Sequence, residues 1–184
     1  MSNTAWQRQL PNAITMLRMA FVPLIIAALW EDTPVRGYIA GGLFILASIT
    51  DYYDGHFARK FKVESLLGKF MDPISDKVLV SSTLIMMITT KDIHPLLVIL
   101  LLSRDTLING LRSVAAAENI IISAGSLGKW KTGVQMVAIP AALIETPLWI
   151  LPSREIGWIG LWLSVVLSLV SGYQYVRGFL AQRG

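Results

Sequence analysis

Six apolar segments of helical length run along the chain, separated by short polar breaks. Because roughly 20 apolar residues cross the hydrocarbon core of a bilayer as a helix, this pattern predicts six transmembrane helices. The longest break lies between the fourth and fifth segments and carries Gly125, Ser126 and Gly128, which predicts a loop or a shallow re-entrant turn. The predicted helices span residues 12–30, 36–59, 67–90, 94–117, 131–150 and 156–179.

Composition agrees with a membrane protein. Apolar residues make up 54% of the 184 residues and charged residues only 15%, with a mean hydropathy of +0.58, whereas a soluble domain carries about 25% charged residues. The length suits one domain, so we expect a single all-α integral membrane domain over 1–184 that starts with a short interfacial segment at 1–11. Because the chain starts with a polar stretch, we expect no cleavable signal peptide. Four tryptophans fall near predicted helix ends, as interfacial aromatic residues do: Trp30, Trp130, Trp149 and Trp158.

The basic residues predict the orientation of the helices. With six spans, both termini and the second and fourth breaks share one side of the membrane. That side receives all of the 16 lysines and arginines except Arg36, Lys91 and Arg154. The positive-inside rule therefore places the termini in the cytoplasm, as in a multi-pass protein of the cell (inner) membrane.

Carboxylates recur where charge is costly, at the cytoplasmic ends of predicted helices two and three. They are Asp51, Asp54, Asp72 and Asp76. Spacings of three and four residues put each pair on one helix face, and Gly55, Ala58 and Gly68 lie on the same faces. Small residues beside acids leave room for a ligand or for close helix approach.

Three interpretations of these aspartates remain open from the residues alone. They could pair with neighbouring cations at a solvated rim, or form an ion pathway for protons or divalent cations. A pathway should continue across the membrane, but the other four helices add only Asp105 and Glu145 as acids. The third interpretation is a hard-metal site, since carboxylate ligands suit Mg²⁺ or Mn²⁺. Four carboxylates could hold two ions, an arrangement used for displacement at phosphorus.

The aspartates also belong to a longer motif. DYYDGHFAR at 51–59 and GKFMDPISD at 68–76 fit the pattern D-x2-D-G-x2-A-R-x8-G-x3-D-x3-D at every one of its eight defined positions. This is the signature of the CDP-alcohol phosphotransferase family, which the chain resembles. PNAITMLR at 11–18, RDTLINGLR at 104–112 and GKWKTGVQ at 128–135 resemble the family's phosphatidylglycerophosphate synthase branch. Asp105 departs from the glutamate that is usual at its position.

The resemblance implies a fold, a reaction and a set of partners. The fold is six transmembrane helices around a polar cavity open to the cytoplasm, in a homodimer. The reaction transfers a phosphatidyl group from CDP-diacylglycerol to sn-glycerol 3-phosphate and gives phosphatidylglycerophosphate and CMP. Its implied cofactors are two divalent cations, Mg²⁺ or Mn²⁺. Membrane lipid is the expected surrounding, and no nucleic acid is expected as a partner.

The resemblance also assigns roles to the residues of the motif. It implies that all four aspartates are metal ligands and that Asp76 is in addition the general base for the acceptor hydroxyl; metal ligation alone is the alternative role for Asp76. The implied CDP-diacylglycerol site consists of Asn12, Thr15, Arg18, Gly55, Ala58 and Arg59. For Arg59 the alternative is a positive-inside anchor, and for Asn12 it is a helix cap.

The acceptor is an anion, so its site should be basic. The candidates are Arg104, Arg112, Lys129 and Lys131. Arg104 lies about ten residues into predicted helix four and needs an anionic partner there. That partner could be the acceptor phosphate, Asp105 or Glu118, although Asp105, adjacent in sequence, should point elsewhere on the helix. For Lys131 the alternative is the general excess of basic residues on the cytoplasmic side of the membrane.

Other functions remain as alternatives. Within the family, the acceptor could be inositol phosphate, or phosphatidylglycerol as in a cardiolipin-type enzyme. Outside it, a divalent-cation transporter is disfavoured because the acids cluster on one side of the membrane. The complete motif argues against a structural membrane protein without catalytic activity.

Overall fold

The computed structural model describes residues 5–61, 66–118, 126–144 and 152–183, with side chains described over 16–50, 74–118, 127–144 and 152–183. Within these ranges the chain forms α-helices and no strand, which confirms the predicted all-α class. The helices are α1 (Ala5–Ala28), α2 (Pro34–Phe61), α3 (Leu66–Thr90), α4 (Pro95–Ala117), α5 (Ser126–Leu143) and α6 (Ser153–Arg183).

The helix boundaries differ most from the prediction at α5. This helix begins at Ser126 and ends at Leu143, whereas the sequence pattern predicted 131–150. The predicted loop is therefore wrong at Ser126 and Gly128, which lie in the first turn of α5, while Gly125 lies outside the described residues. Serine and glycine are both tolerated at a helix start, so polar composition alone does not mark a loop there.

Two helices begin with a polar cap followed by proline. Pro34 opens α2, and the Arg36 backbone N–H donates to Thr33 Oγ1 at 3.4 Å. Pro95 opens α4, and the Leu96 N–H donates to His94 Nδ1 at 3.2 Å. Proline suits the first helical position because the backbone N–H that it lacks has no intrahelical partner there.

The first compact unit comprises Met1–Lys91 and Leu143–Glu145. In it α1 packs against both α2 and α3. Lys91, which directly follows α3, is buried, and its Nζ lies 2.6 Å from Asp32 Oδ1. A Cβ at Gly37 would clash with the Leu143 carbonyl oxygen. Since a buried ammonium is tolerated only with a partner, the Lys91–Asp32 pair ties the end of α3 to the start of α2.

The second unit comprises Asp92–Ala142 and Thr146–Gly184. Helix α4 packs against α6. Glycine permits a close approach of α6 to α5, because a Cβ at Gly157 would clash with the Ala142 backbone nitrogen. A Cβ at Gly160 would lie 2.7 Å from that of Ala138. Small residues at such crossings are typical of helices packed in membranes.

The polarity of α6 is inverted relative to a helix of a soluble protein. It buries several serines, Ser164 and Ser168 among them, and exposes large apolar side chains such as Ile159 and Val166. Small polar residues inside and apolar residues outside are expected where lipid is the solvent. In the described part of the chain, Ser153–Arg183 is the one helix long and apolar enough to cross a membrane, and its most apolar 18-residue stretch has a mean hydropathy of 1.7. The other five predicted spans remain predictions.

Candidate active site

The four aspartates of the motif lie on two helices that both pack against α1. Asp51 and Asp54 belong to α2, and Asp72 and Asp76 belong to α3. The prediction that each pair of aspartates shares one helix face requires a helical backbone at both pairs, and the structure has one there. Asp76 is half-buried. The side chains of the other three aspartates, and those of Asn12, Thr15, Gly55, Ala58 and Arg59, lie outside the described residues.

The donor chemistry of the aspartates fits a hard divalent cation. Carboxylate oxygens are the ligands that Mg²⁺ and Mn²⁺ prefer, and the chain has no cysteine that would favour a softer metal. Elsewhere, among the residues whose side chains are described, no three His, Asp or Glu groups come together as metal ligands. The aspartates of α2 and α3 are therefore the candidate donor set.

Arg18 is buried against the part of α3 that carries Asp76. Its side chain is 1% exposed, and Nη1 donates to Ser75 Oγ at 3.1 Å. Ser75 is fully buried and directly precedes Asp76. The hydrogen bond therefore joins α1 to α3 at the last aspartate of the motif. Sequence reasoning missed Ser75, because it occupies a variable position of the motif.

The basic residues of the second unit converge on one carboxylate. Lys131, on α5, is 5% exposed, and its Nζ lies 2.6 Å from Asp105 Oδ1 and also contacts Oδ2. Arg104 Nη1 donates to the same Oδ1 at 3.1 Å. The expectation that Asp105 points away from Arg104 was thus wrong, because long side chains can meet around the helix even when their Cα atoms are adjacent. Lys131 is thus a buried partner of Asp105 and not an exposed cation.

Helix α6 supplies the other partners of Arg104. Arg104 Nε donates to the Ser168 carbonyl oxygen at 2.8 Å, and Nη2 donates to Ser171 Oγ at 2.8 Å. Gly172 faces the guanidinium, since a Cβ there would lie 3.1 Å from Arg104 Nε. Glu118, the other acid considered as a partner, instead pairs with Arg183 at 2.9 Å.

The remaining two predicted acceptor residues lie on the surface of this unit. Arg112, on α4, is exposed, and its guanidinium carbon lies 5.5 Å from the centroid of the Tyr175 ring, a distance typical of a cation–π contact. Lys129, in the first turn of α5, is exposed. The structure therefore brings Arg104 and Lys131 together at Asp105 and places Arg112 and Lys129 outside that cluster.

Two buried polar groups near this cluster were not found from the sequence. Gln135 lies one turn after Lys131 on α5 and is 4% exposed, and its Nε2 has no partner among the described residues. Ser168 Oγ is likewise buried and unpartnered within the described part of the chain. A signal for the serines was available: Ser164, Ser168 and Ser171 recur at helical spacing in an otherwise apolar segment.

Comparison with known proteins identifies the family. The family profile described as CDP-alcohol phosphatidyltransferase matches residues 8–170. A CDP-diacylglycerol–glycerol-3-phosphate 3-phosphatidyltransferase of Rickettsia bellii is 35% identical and is aligned over 91% of this chain and 93% of its own. The Bacillus subtilis protein of the same name is 36% identical over 90% and 92%. The chain therefore belongs to the CDP-alcohol phosphatidyltransferase family.

Proposed function

We propose that this chain transfers the phosphatidyl group of CDP-diacylglycerol to sn-glycerol 3-phosphate, giving phosphatidylglycerophosphate and CMP. The observation that carries the proposal is the complete motif on α2 and α3, in a chain whose relatives from Rickettsia bellii and Bacillus subtilis are named for this reaction. The acceptor is an anion, and the cluster at Asp105 supports its binding.

The chemistry assigned to the motif is a displacement at phosphorus. Asp76 takes the proton of the acceptor hydroxyl, the hydroxyl oxygen forms a bond to the β-phosphorus, and the bond from that phosphorus to the CMP oxygen breaks. CMP leaves with the electron pair. Asp51, Asp54, Asp72 and Asp76 would hold two divalent cations, Mg²⁺ or Mn²⁺. When bound, such cations neutralise the diphosphate and the leaving phosphate, so no acid has to protonate CMP.

The nucleotide and diphosphate of the donor are assigned to α1 and α2. Gly55 and Ala58 lack bulk that would hinder a close ligand, and Arg59 can pair with a phosphate oxygen. Asn12, Thr15 and Arg18 recur at three-residue spacing on α1. The contact between Arg18 and Ser75 supports the placement of this arginine next to the motif.

The phosphate of the acceptor is assigned to Arg104 and Lys131. Two cations, Arg104 and Lys131, meet at the carboxylate of Asp105. Each Nη atom of Arg104 also has a second N–H that no described residue accepts. An anion with two oxygens can satisfy such a pair of donors. Arg112 and Lys129, exposed on the same unit, add to the positive potential that attracts the acceptor.

The assay that tests the reaction uses purified protein, CDP-diacylglycerol and labelled candidate acceptors. We expect label from sn-glycerol 3-phosphate to enter lipid, with CMP released in equal amount, while inositol phosphate and phosphatidylglycerol do not react. Protein without CDP-diacylglycerol is the blank. Incorporation of inositol phosphate or phosphatidylglycerol in place of glycerol phosphate would contradict the proposed acceptor.

The proposed setting is the cell (inner) membrane, with six spans, cytoplasmic termini and a homodimeric assembly. The apolar outer surface of α6 supports the membrane location, and the distribution of basic residues supports the orientation. In this cysteine-free chain, a cysteine in place of Asp92 should react with a membrane-impermeant thiol reagent in intact cells, whereas one in place of Lys62 should not. The opposite labelling pattern would reverse the orientation, and a monomeric mass in detergent would count against the dimer.

A further inference from the structure

The guanidinium of Arg104 is held by a small ring of hydrogen bonds on α6. The Ser168 carbonyl oxygen accepts from Arg104 Nε at 2.8 Å and from Ser171 Oγ at 3.1 Å. Because the Ser171 hydroxyl donates to this carbonyl, its lone pairs are left to accept from Arg104 Nη2 at 2.8 Å. Both serines are buried, which shields these bonds in part from water.

The neighbouring glycine makes room for this ring. A Cβ at Gly172 would lie 3.1 Å from Arg104 Nε, tighter than ordinary van der Waals contact, and 3.4 Å from its Cγ. An alanine at this position would push the arginine stem and its Nε away from α6. The sequence of α6 therefore limits where the guanidinium can lie.

Asp105 contacts the guanidinium of Arg104 at Nη1, the terminal nitrogen that α6 does not bind. Its Oδ1 accepts from Arg104 Nη1 at 3.1 Å and from Lys131 Nζ at 2.6 Å. Arginine has a planar group with donors in a rigid fork, so contacts at Nε, Nη1 and Nη2 together determine its plane. The second N–H groups of the two Nη atoms then have a defined direction.

We propose that Ser171 and Gly172 are positioning residues for the acceptor site: they hold Arg104 so that its remaining N–H groups meet the phosphate of the acceptor. The inference rests on the proposed function, which assigns that phosphate to Arg104. Nothing in the motif or in the names of the relatives assigns a role to α6. If the ring served only to join α4 to α6, its loss would affect both substrates and the stability of the protein together.

The experiment measures KM for sn-glycerol 3-phosphate and for CDP-diacylglycerol on two single variants, Ser171→Ala and Gly172→Ala. Each should raise KM for glycerol phosphate about 2- to 12-fold, the loss expected for one typical intramolecular hydrogen bond. KM for CDP-diacylglycerol, kcat and the Tm without substrates should stay close to wild type. Glycerol phosphate should also raise the Tm of these variants less than that of the wild type.

Matched controls exist for both variants. Ser164 is a fully buried serine on α6 whose hydroxyl donates to the Leu161 carbonyl oxygen of the same helix at 2.7 Å, so Ser164→Ala removes a buried hydroxyl without touching Arg104. Gly110 lies on α4, and no atom of a described residue lies within 4 Å of where its Cβ would be, so Gly110→Ala adds a methyl group without displacing a described neighbour. Both controls should keep the wild-type KM for glycerol phosphate.

Arg104→Ala separates the positioning role from the acceptor role. It should raise KM for glycerol phosphate by about 10- to 150-fold, and adding Ser171→Ala to it should raise KM no further, because both changes remove the same interaction. If Arg104→Ala has this effect but Ser171→Ala and Gly172→Ala behave like their controls, the positioning inference is overturned and the acceptor site stands. If Arg104→Ala impairs both substrates equally and lowers the Tm, the acceptor role of Arg104 fails first.

If the Ser171→Ala protein folds poorly, Ser171→Thr provides the test instead. Ser171→Thr keeps the hydroxyl and should retain the wild-type KM for glycerol phosphate. A Ser171→Thr protein with wild-type Tm but a KM for glycerol phosphate as high as that of Gly172→Ala would show that the hydroxyl does not position Arg104, and would overturn the role of Ser171.

Discussion

Asp76→Asn is expected to eliminate turnover while leaving CDP-diacylglycerol binding largely intact. The substitution keeps the shape of the side chain and removes its charge, so the residue can no longer accept the proton of the acceptor hydroxyl. Loss of a general base typically lowers the rate by about 10²–10⁴-fold, and a lost metal contact would lower it further. The three aspartates at 51, 54 and 72 remain available, so the donor should still bind.

The measurements are the rate at saturating concentrations of both substrates and the equilibrium binding of CDP-diacylglycerol. Asp92→Asn is the matched control, since it removes one exposed carboxylate between α3 and α4. Asp92 has a φ of 51°, a conformation that asparagine also adopts readily, so this control should fold and react normally. An Asp76→Asn protein that kept more than about a tenth of the wild-type rate would show that Asp76 is not the base.

Removal of divalent cations should abolish activity, and Mg²⁺ or Mn²⁺ should restore it. The proposed site has four carboxylate ligands, and the chain contains no cysteine. Oxygen-only ligation favours hard cations, so Zn²⁺ alone should restore activity poorly. The acceptor and the donor diphosphate are both anions, and without cations their charges add to those of the four aspartates.

A direct effect of the chelator on the protein must be distinguished from the effect of removing the metal. Chelator loaded with Mg²⁺ beforehand is the control, and it should leave the rate unchanged. Metal analysis of the treated protein verifies that the cations are gone. Undiminished turnover in a sample shown to contain no divalent cation would contradict the metal-assisted displacement and leave the four aspartates without their proposed role.

The helical class and the location of the motif could be predicted because both depend on local pattern. Apolar segments of about 20 residues predict helices irrespective of their neighbours, and a described helix overlaps each of the six predicted segments. Residues three or four apart lie on the same face of any helix. Asp51 could therefore be paired with Asp54, and Asp72 with Asp76, from spacing alone. The boundaries of α5 were less predictable, since the polar residues around Ser126 suit a helix start as well as a loop.

Contacts between helices could not be predicted in the same way. The positive-inside count included Lys91 and Lys131 by position alone; in the structure both are buried beside aspartates, Asp32 and Asp105. A positive-inside count records on which side a cation lies, but not whether its side chain turns toward the protein. That direction depends on which helices pack together and on where the partner carboxylate lies.

Local pattern was enough to establish the helical class, the family and the aspartate motif, because each depends on residues that are near one another along the chain. The polar groups around Arg104 were revealed instead by the packing of distant segments. Its partners Ser168 and Ser171 lie 64 and 67 positions away along the chain, in the segment with the least distinctive sequence. A serine in an apolar helix has the same local pattern whether it faces lipid, its own backbone or another helix. The packing of α4 against α6 decides that Ser171 faces another helix, because it places Ser171 and Gly172 against the guanidinium of Arg104.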